Sequence, residues 1–151
     1  MDYLLDTNLL FLYGRVNEVS DRIEQDYNFF AGQNRLAASV VTLGELNALG
    51  KKLRLGRRRL DFLTKLVFDV NVLDINLTEV IERYGEIDAY SQGKLNTGKF
   101  AARNMGKNDL WIAATASVYG LTLATTDRDF DHLDGSYLRL VYIDQRKYLV
   151  K

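Results

Sequence analysis

The stretch that most narrows the choice of fold lies at the start of the chain, where Tyr3-Leu4-Leu5 runs apolar and stops at Asp6, Thr7 and Asn8. A short run with so few polar positions reads as a strand buried on both faces of a parallel sheet, not as a surface strand. In such sheets the carboxyl end of a strand opens into the crevice where ligands bind. That placement sets Asp6 at the mouth of the crevice, with the Thr7 hydroxyl and the Asn8 amide beside it. Taken alone, Asp6 is also a good N-cap for a helix starting near Asn8. A functional reading therefore needs other acids to arrive at the same place.

A length of 151 residues predicts one domain over 1–151, large enough to bury most of the surface its unfolded form exposes. Twenty basic residues balance twenty acidic ones, so only local clustering can carry a nucleic-acid signal. Cysteine is absent, which excludes a disulfide framework, a thiolate nucleophile and a Cys-type zinc site, and the single His132 excludes a two-histidine acid/base pair. Asp2 and Asp6 stand where a signal peptide needs a basic start, and no stretch approaches the ~18 apolar residues of a membrane span. The expectation is a cytoplasmic protein with no membrane partner.

Along the chain, helical spacing is expected in 8–13, 18–30, 60–68, 78–90 and 109–119, with Gly120 as a C-terminal stop. Further strands are expected at Leu36–Val41, Val70–Ile75, Leu121–Thr125 and Leu138–Ile143. Thr42-Leu43-Gly44-Glu45 reads as a capping box opening a helix that ends in the basic run Lys51–Arg59. From Tyr90 to Asn108 the pattern dissolves. Strands alternating with helices predict a parallel sheet with right-handed crossovers, covered on both faces.

Four acids sit where a strand ends or a helix begins: Asp6, Glu45, Asp109 and Asp127, with Asp129 close behind. Singly, each has a structural explanation as a cap, a first-turn charge or a turn acid. Jointly they do not. At a separation of about 5 Å and an effective dielectric of about 20, each carboxylate pair repels by roughly 3 kcal/mol, more than capping returns. A cation should occupy such a site, and oxygen ligands without His or Cys select Mg²⁺ or Mn²⁺.

Leu5-Asp6-Thr7-Asn8, Glu45, Asn108-Asp109-Leu110-Trp111-Ile112-Ala113-Ala114 and Leu123-Ala124-Thr125-Thr126-Asp127-Arg128-Asp129-Phe130 together resemble a PIN domain, and within it the VapC-type toxins of bacterial toxin-antitoxin pairs. The resemblance spans residues 4–130 in order. It implies a three-layer α/β/α fold with a five-stranded parallel sheet. It also implies a metal-dependent endoribonuclease that cleaves RNA by metal-activated water and leaves a 5′-phosphate and a 3′-hydroxyl. The implied catalytic acids are Asp6, Glu45, Asp109 and Asp127, the metal ligands Asp6, Asp109 and Asp127, with Mg²⁺ or Mn²⁺ as cofactor. Thr7, Asn8, Asn108, Thr125 and Asp129 take supporting places. The implied partners are an RNA substrate, a cognate antitoxin seated on the helices flanking the Lys51–Arg59 run, and a second copy of the chain in a homodimer. This chain has Met105-Gly106-Lys107-Asn108 where many relatives carry a proline or an extra glycine, and it has no proline anywhere.

Two basic segments are candidates for RNA contact: Lys94, Lys99, Arg103 and Lys107 in an acid-free stretch leading into Asp109, and Arg57, Arg58 and Arg59. Their plain reading is a solvated loop and a helix C-terminus, where cations are favoured. Asp127-Arg128-Asp129-Phe130-Asp131 resembles the start of a calcium loop but has His132 where glycine is required. Other function classes are a Mg²⁺-binding phosphoacceptor signalling domain, an aspartyl phosphotransferase and an inactive PIN-like RNA-binding module. The first wants adjacent acids after the first strand, where Thr7 follows Asp6; the second wants an acid where Asn8 stands.

Overall fold

A computed structural model of the chain describes residues 1–15, 18–95 and 100–149. Its centre is β1 (Asp2–Leu5), paired in parallel with β2 (Arg35–Ser39) on one side and β4 (Thr122–Thr125) on the other. With β3 (Asn71–Leu73) beyond β2 and β5 (Arg139–Tyr142) beyond β4, the five-stranded sheet runs β3-β2-β1-β4-β5, all parallel. The chain fills the β2 and β3 side first and then returns to add β4 and β5. The reversal falls between β1 and β4, the switch point at which open α/β sheets form their crevice.

Side chains alternate across the strands, and both faces are apolar. Leu4, Ala37 and Leu123 enter one core with Ile87, Ile112 and Phe130, while Leu5, Leu36, Ala38 and Ala124 enter the other with Leu9, Leu10 and Phe29. The first core is covered by α5 (Thr78–Ser91) and α6 (Lys107–Tyr119), whose Ala113, Ala114 and Ala116 admit a close approach. The second is covered by α1 (Thr7–Tyr13), α2 (Glu18–Tyr27), α3 (Val40–Lys52) and α4 (Arg57–Phe68). This is the expected three-layer α/β/α arrangement with a five-stranded parallel sheet. Gly120 stops α6 in the left-handed region, at φ 66°.

Four local expectations are corrected. The strand expected over Leu36–Val41 ends at Ser39, whose hydroxyl accepts the Val41 N–H at 3.1 Å and caps α3. An apolar Val40-Val41 pair cannot distinguish the end of a buried strand from the first turn of a buried helix. Thr42 and Glu45 consequently lie inside α3, and no capping box forms. The basic run is divided: Lys51 and Lys52 close α3, but Arg57, Arg58 and Arg59 form the first turn of α4, at the end of the helix dipole that disfavours cations. The irregular stretch is also shorter than expected, because α5 reaches Ser91 and α6 begins at Lys107.

Candidate active site

Asp6 leaves β1 and caps α1, accepting the Thr7 N–H on Oδ1 at 2.8 Å and the Thr125 hydroxyl on Oδ2 at 2.6 Å. It is 3% exposed, and burial raises its carboxyl to about 6 despite both bonds, with Glu45 and Asp127 adding repulsion. Thr125 closes β4 with no exposure and accepts the Asp127 N–H at 3.0 Å, so one hydroxyl joins the acids that follow β1 and β4. Asp127 in turn accepts the Asp129 N–H at 2.9 Å and starts the 3-10 helix Arg128–Leu133.

Glu45 arrives from α3. Its Oε1 accepts the Thr7 hydroxyl at 2.7 Å, and Thr42 lies 3.0 Å from that same hydroxyl. Thr7 has one proton to give and gives it to Glu45, so Thr42 donates to Thr7. Thr42 was missed as a site residue; its signal is the three-residue spacing to Glu45, which places both on one helix face.

Asp109 is in the first turn of α6, where the helix dipole favours a negative charge. Its carboxyl is nevertheless raised to about 7, first by burial and then by Asp6, Asp127, Glu45 and Asp129. Burial and four like charges outweigh one helix end. Among the described residues, Asp109, Asp127 and Asp129 each offer a carboxylate oxygen within 4.8 Å of the others. Asp6, expected as a ligand, stands beside this cluster with both oxygens already bonded, and Asp129, expected as a helper, is a member of it. The donors are oxygen only, and the raised carboxyl of Asp109 shows charge that a cation would neutralise. The residues present therefore fit a hard divalent cation.

The other expected residues are distributed more loosely. Asn8 is exposed and lines a cavity of about 580 Å³ with Asp127 and Arg128; Asn108 is exposed in the first turn of α6. Neither bonds an acid among the described residues. Lys94 and Lys107 are exposed, Arg103 is half-buried, and Lys99 lies outside the described residues. Arg103 donates its N–H to the Ser91 carbonyl at 2.8 Å, tying the loop before α6 to the end of α5. His132, left out of the site on sequence grounds, packs against Phe100, and its Nε2 is 2.7 Å from the buried Ser91 hydroxyl. Burial and Arg103 lower its imidazole to about 4, against weaker opposition from Asp129 and Asp131. It is a neutral packing residue.

A model of the PIN domain matches residues 3–136. No curated protein matches the chain at a significant level. Among solved structures, the chain is similar to VapBC2 of Rickettsia felis, solved bound to a DNA fragment from their promoter, at 23% identity and a TM-score of 0.75 over 95% of this chain and 100% of that chain. It is similar to VapBC-1 of nontypeable Haemophilus influenzae at 25% identity and a TM-score of 0.64, over 94% and 98% of the two chains. A third similar structure is VapBC-5 of Mycobacterium tuberculosis, a member of the VapBC family of toxin-antitoxin systems, at 22% identity and a TM-score of 0.61, over 94% and 98%. The family match runs from β1 through the turn that follows β4 and takes in Asp6, Glu45, Asp109, Asp127 and Asp129 on their separate elements, so the chain belongs to the PIN domain family.

Proposed function

We propose that this chain is a metal-dependent endoribonuclease and the toxin of a toxin-antitoxin pair. The observation that carries the reading is the convergence of acids from four separate segments at the switch point of the sheet, two of them, Asp6 and Asp109, with carboxyls raised to about 6 and about 7 by burial and by neighbouring acids. Family membership supports nucleic-acid hydrolysis, and the oxygen-only donor set supports Mg²⁺ or Mn²⁺.

In this reading Asp6, Asp109 and Asp127, with Asp129, would hold the cation. When bound, it neutralises charge on the phosphoryl oxygens and lowers the pKa of water so that a nucleophile exists at neutral pH. Glu45, held by Thr7 and Thr42, would take the proton of the attacking water as general base. Thr125 keeps the Asp6 carboxylate in one orientation, and its link to the Asp127 backbone keeps the two acid-bearing turns in register. In-line attack leaves a 5′-phosphate and a 3′-hydroxyl. The surrounding acids repel phosphate until the cation is present, so substrate enters only a charged and ready site.

Residues 1–151 act as one nuclease domain in the cytoplasm, as a homodimer. An apolar cavity of about 690 Å³ between α3 and α4, lined by Leu46, Gly50, Leu63, Val67 and the exposed Phe68, suits the antitoxin. The test is expression in a bacterial host with and without a co-expressed candidate antitoxin, beside RNA cleavage in Mn²⁺ and in EDTA. Growth arrest relieved by the partner, and cleavage lost in EDTA, are expected. Unimpeded growth at full soluble expression overturns the toxin reading, and absence of metal-dependent cleavage overturns the nuclease.

A further inference from the structure

The α1 helix buries every residue except Asn8 and Phe11. These two lie three positions apart, and Arg15 lies four further on, so they form a stripe along one face. The stripe begins next to Asp6 and points away from the acids. At its far end the Arg15 and Arg59 guanidiniums lie 5.1 and 5.9 Å from the centre of the Phe11 ring, both within range of a cation-π contact. Both arginines are exposed and, among the described residues, neither pairs with a carboxylate, whereas Arg57 is 3.9 Å from Asp61.

Two cavities share Phe11 and Arg15. One, of about 430 Å³, is closed on its far side by Arg59; the other, of about 580 Å³, runs past Asn8 to Asp127. Each is in the size range of small-molecule sites. A half-buried aromatic ring beside two guanidiniums without a carboxylate partner, continuous with a carboxylate site, matches what an unpaired nucleotide requires. The base stacks on a ring or a guanidinium plane, and its flanking phosphates meet arginine. A duplex cannot present its base faces in this way.

Resting on the ribonuclease reading above, we infer that single-stranded RNA enters the acid site along α1, with one nucleotide stacked at Phe11 and its phosphates held by Arg15 and Arg59. The path of the RNA then lies on the α1 and α4 side instead of along the Lys94 to Lys107 segment. An aromatic and two arginines also suit a protein partner, and the experiment separates the two.

A labelled ten-nucleotide single-stranded RNA is titrated onto metal-free protein across a range of salt, and cleavage kinetics are measured in Mn²⁺. Phe11→Leu should weaken binding about tenfold with an unchanged salt slope, as loss of one stacked base does. Arg15→Gln with Arg59→Gln should flatten the log-log slope by about 1.4, roughly 0.7 for each phosphate on a single strand. In cleavage, KM should rise while kcat stays within about twofold. Phe11→Tyr keeps the ring and should match wild type, which separates stacking from misfolding, with melting curves as the check. If these variants bind and cleave as wild type while Lys94→Gln with Arg103→Gln weakens both, the inferred path is wrong and the nuclease stands. If they keep RNA binding but lose the co-expressed candidate antitoxin, the surface is a protein contact and the inference is overturned. Wild type that neither binds nor cleaves RNA removes the ribonuclease reading itself.

Discussion

Thr125 donates its hydroxyl proton to Asp6 across 2.6 Å, although 119 positions separate them in the chain. The same oxygen accepts the Asp127 N–H at 3.0 Å, so a single side chain sets the spacing between the acids that follow β1 and β4. Thr125→Val keeps the shape and removes both bonds. It should cost about 1–3 kcal/mol, the penalty for stranding buried polar groups. Because the lost bond lowers the Asp6 carboxyl, that group should titrate higher still. Denaturant unfolding and Mn²⁺-induced thermal shifts measure the two effects; unchanged values in both would remove Thr125 from its linking role.

Glu45 accepts from Thr7 but caps nothing, so its charge and its packing can be separated. Glu45→Gln should hold the Thr7 bond, stay within about 0.5 kcal/mol of wild type as a change away from core and cap does, and lose most cleavage. Ser39→Ala should do the reverse, costing about 1 kcal/mol through loss of the α3 cap while leaving the chemistry in place. A large stability loss in Glu45→Gln with cleavage retained would make Glu45 structural.

Asp109→Asn removes the charge that four other acids oppose. Cleavage should disappear, yet the metal-free protein should melt higher than wild type at pH 8. Metal stabilises by mass action, so Mn²⁺ should raise the wild-type melting temperature and raise the variant's much less. Equal metal-induced shifts with cleavage retained would take Asp109 out of the site.

Stability without metal should fall as pH rises. Asp109 and Asp6 are raised to about 7 and about 6 from an ordinary 3.8, so between these limits the folded state holds protons that the unfolded state has released. His132 acts oppositely: lowered to about 4 from 6.5, it withdraws stability as pH falls through that interval. The clean window is therefore pH 6.5 to 8, where Asp109 dominates. There metal-free wild type should lose about 0.5 kcal/mol after allowance for partial exposure, roughly 1–2 °C of melting temperature. Asp109→Asn should flatten the slope, and a metal-free slope of opposite sign would contradict the raised carboxyls.

The sequence alone determined the class of the fold and the identity of the acids. Tyr3-Leu4-Leu5 ending at Asp6 is legible because a strand buried on both faces has no polar alternation, and that burial depends only on residue type. Asp6, Asp109 and Asp127 are legible because helix starts and strand ends are marked locally, whereas Glu45 lies inside α3, away from its cap. What only the tertiary structure decided depends on partners distant in the chain. Ser39, not Thr42, caps α3, since two apolar residues suit a strand end and a helix start equally. That outcome leaves Thr42 free to meet Thr7 of α1 on the same face of the sheet. The cluster of Asp109, Asp127 and Asp129, with Asp6 held beside it by Thr125, follows from the order β2-β1-β4, which no local pattern encodes. The arginines differ for the same reason: Arg57 finds Asp61 within its own helix, while Arg59 finds Phe11 on another, and only packing brings α4 against α1.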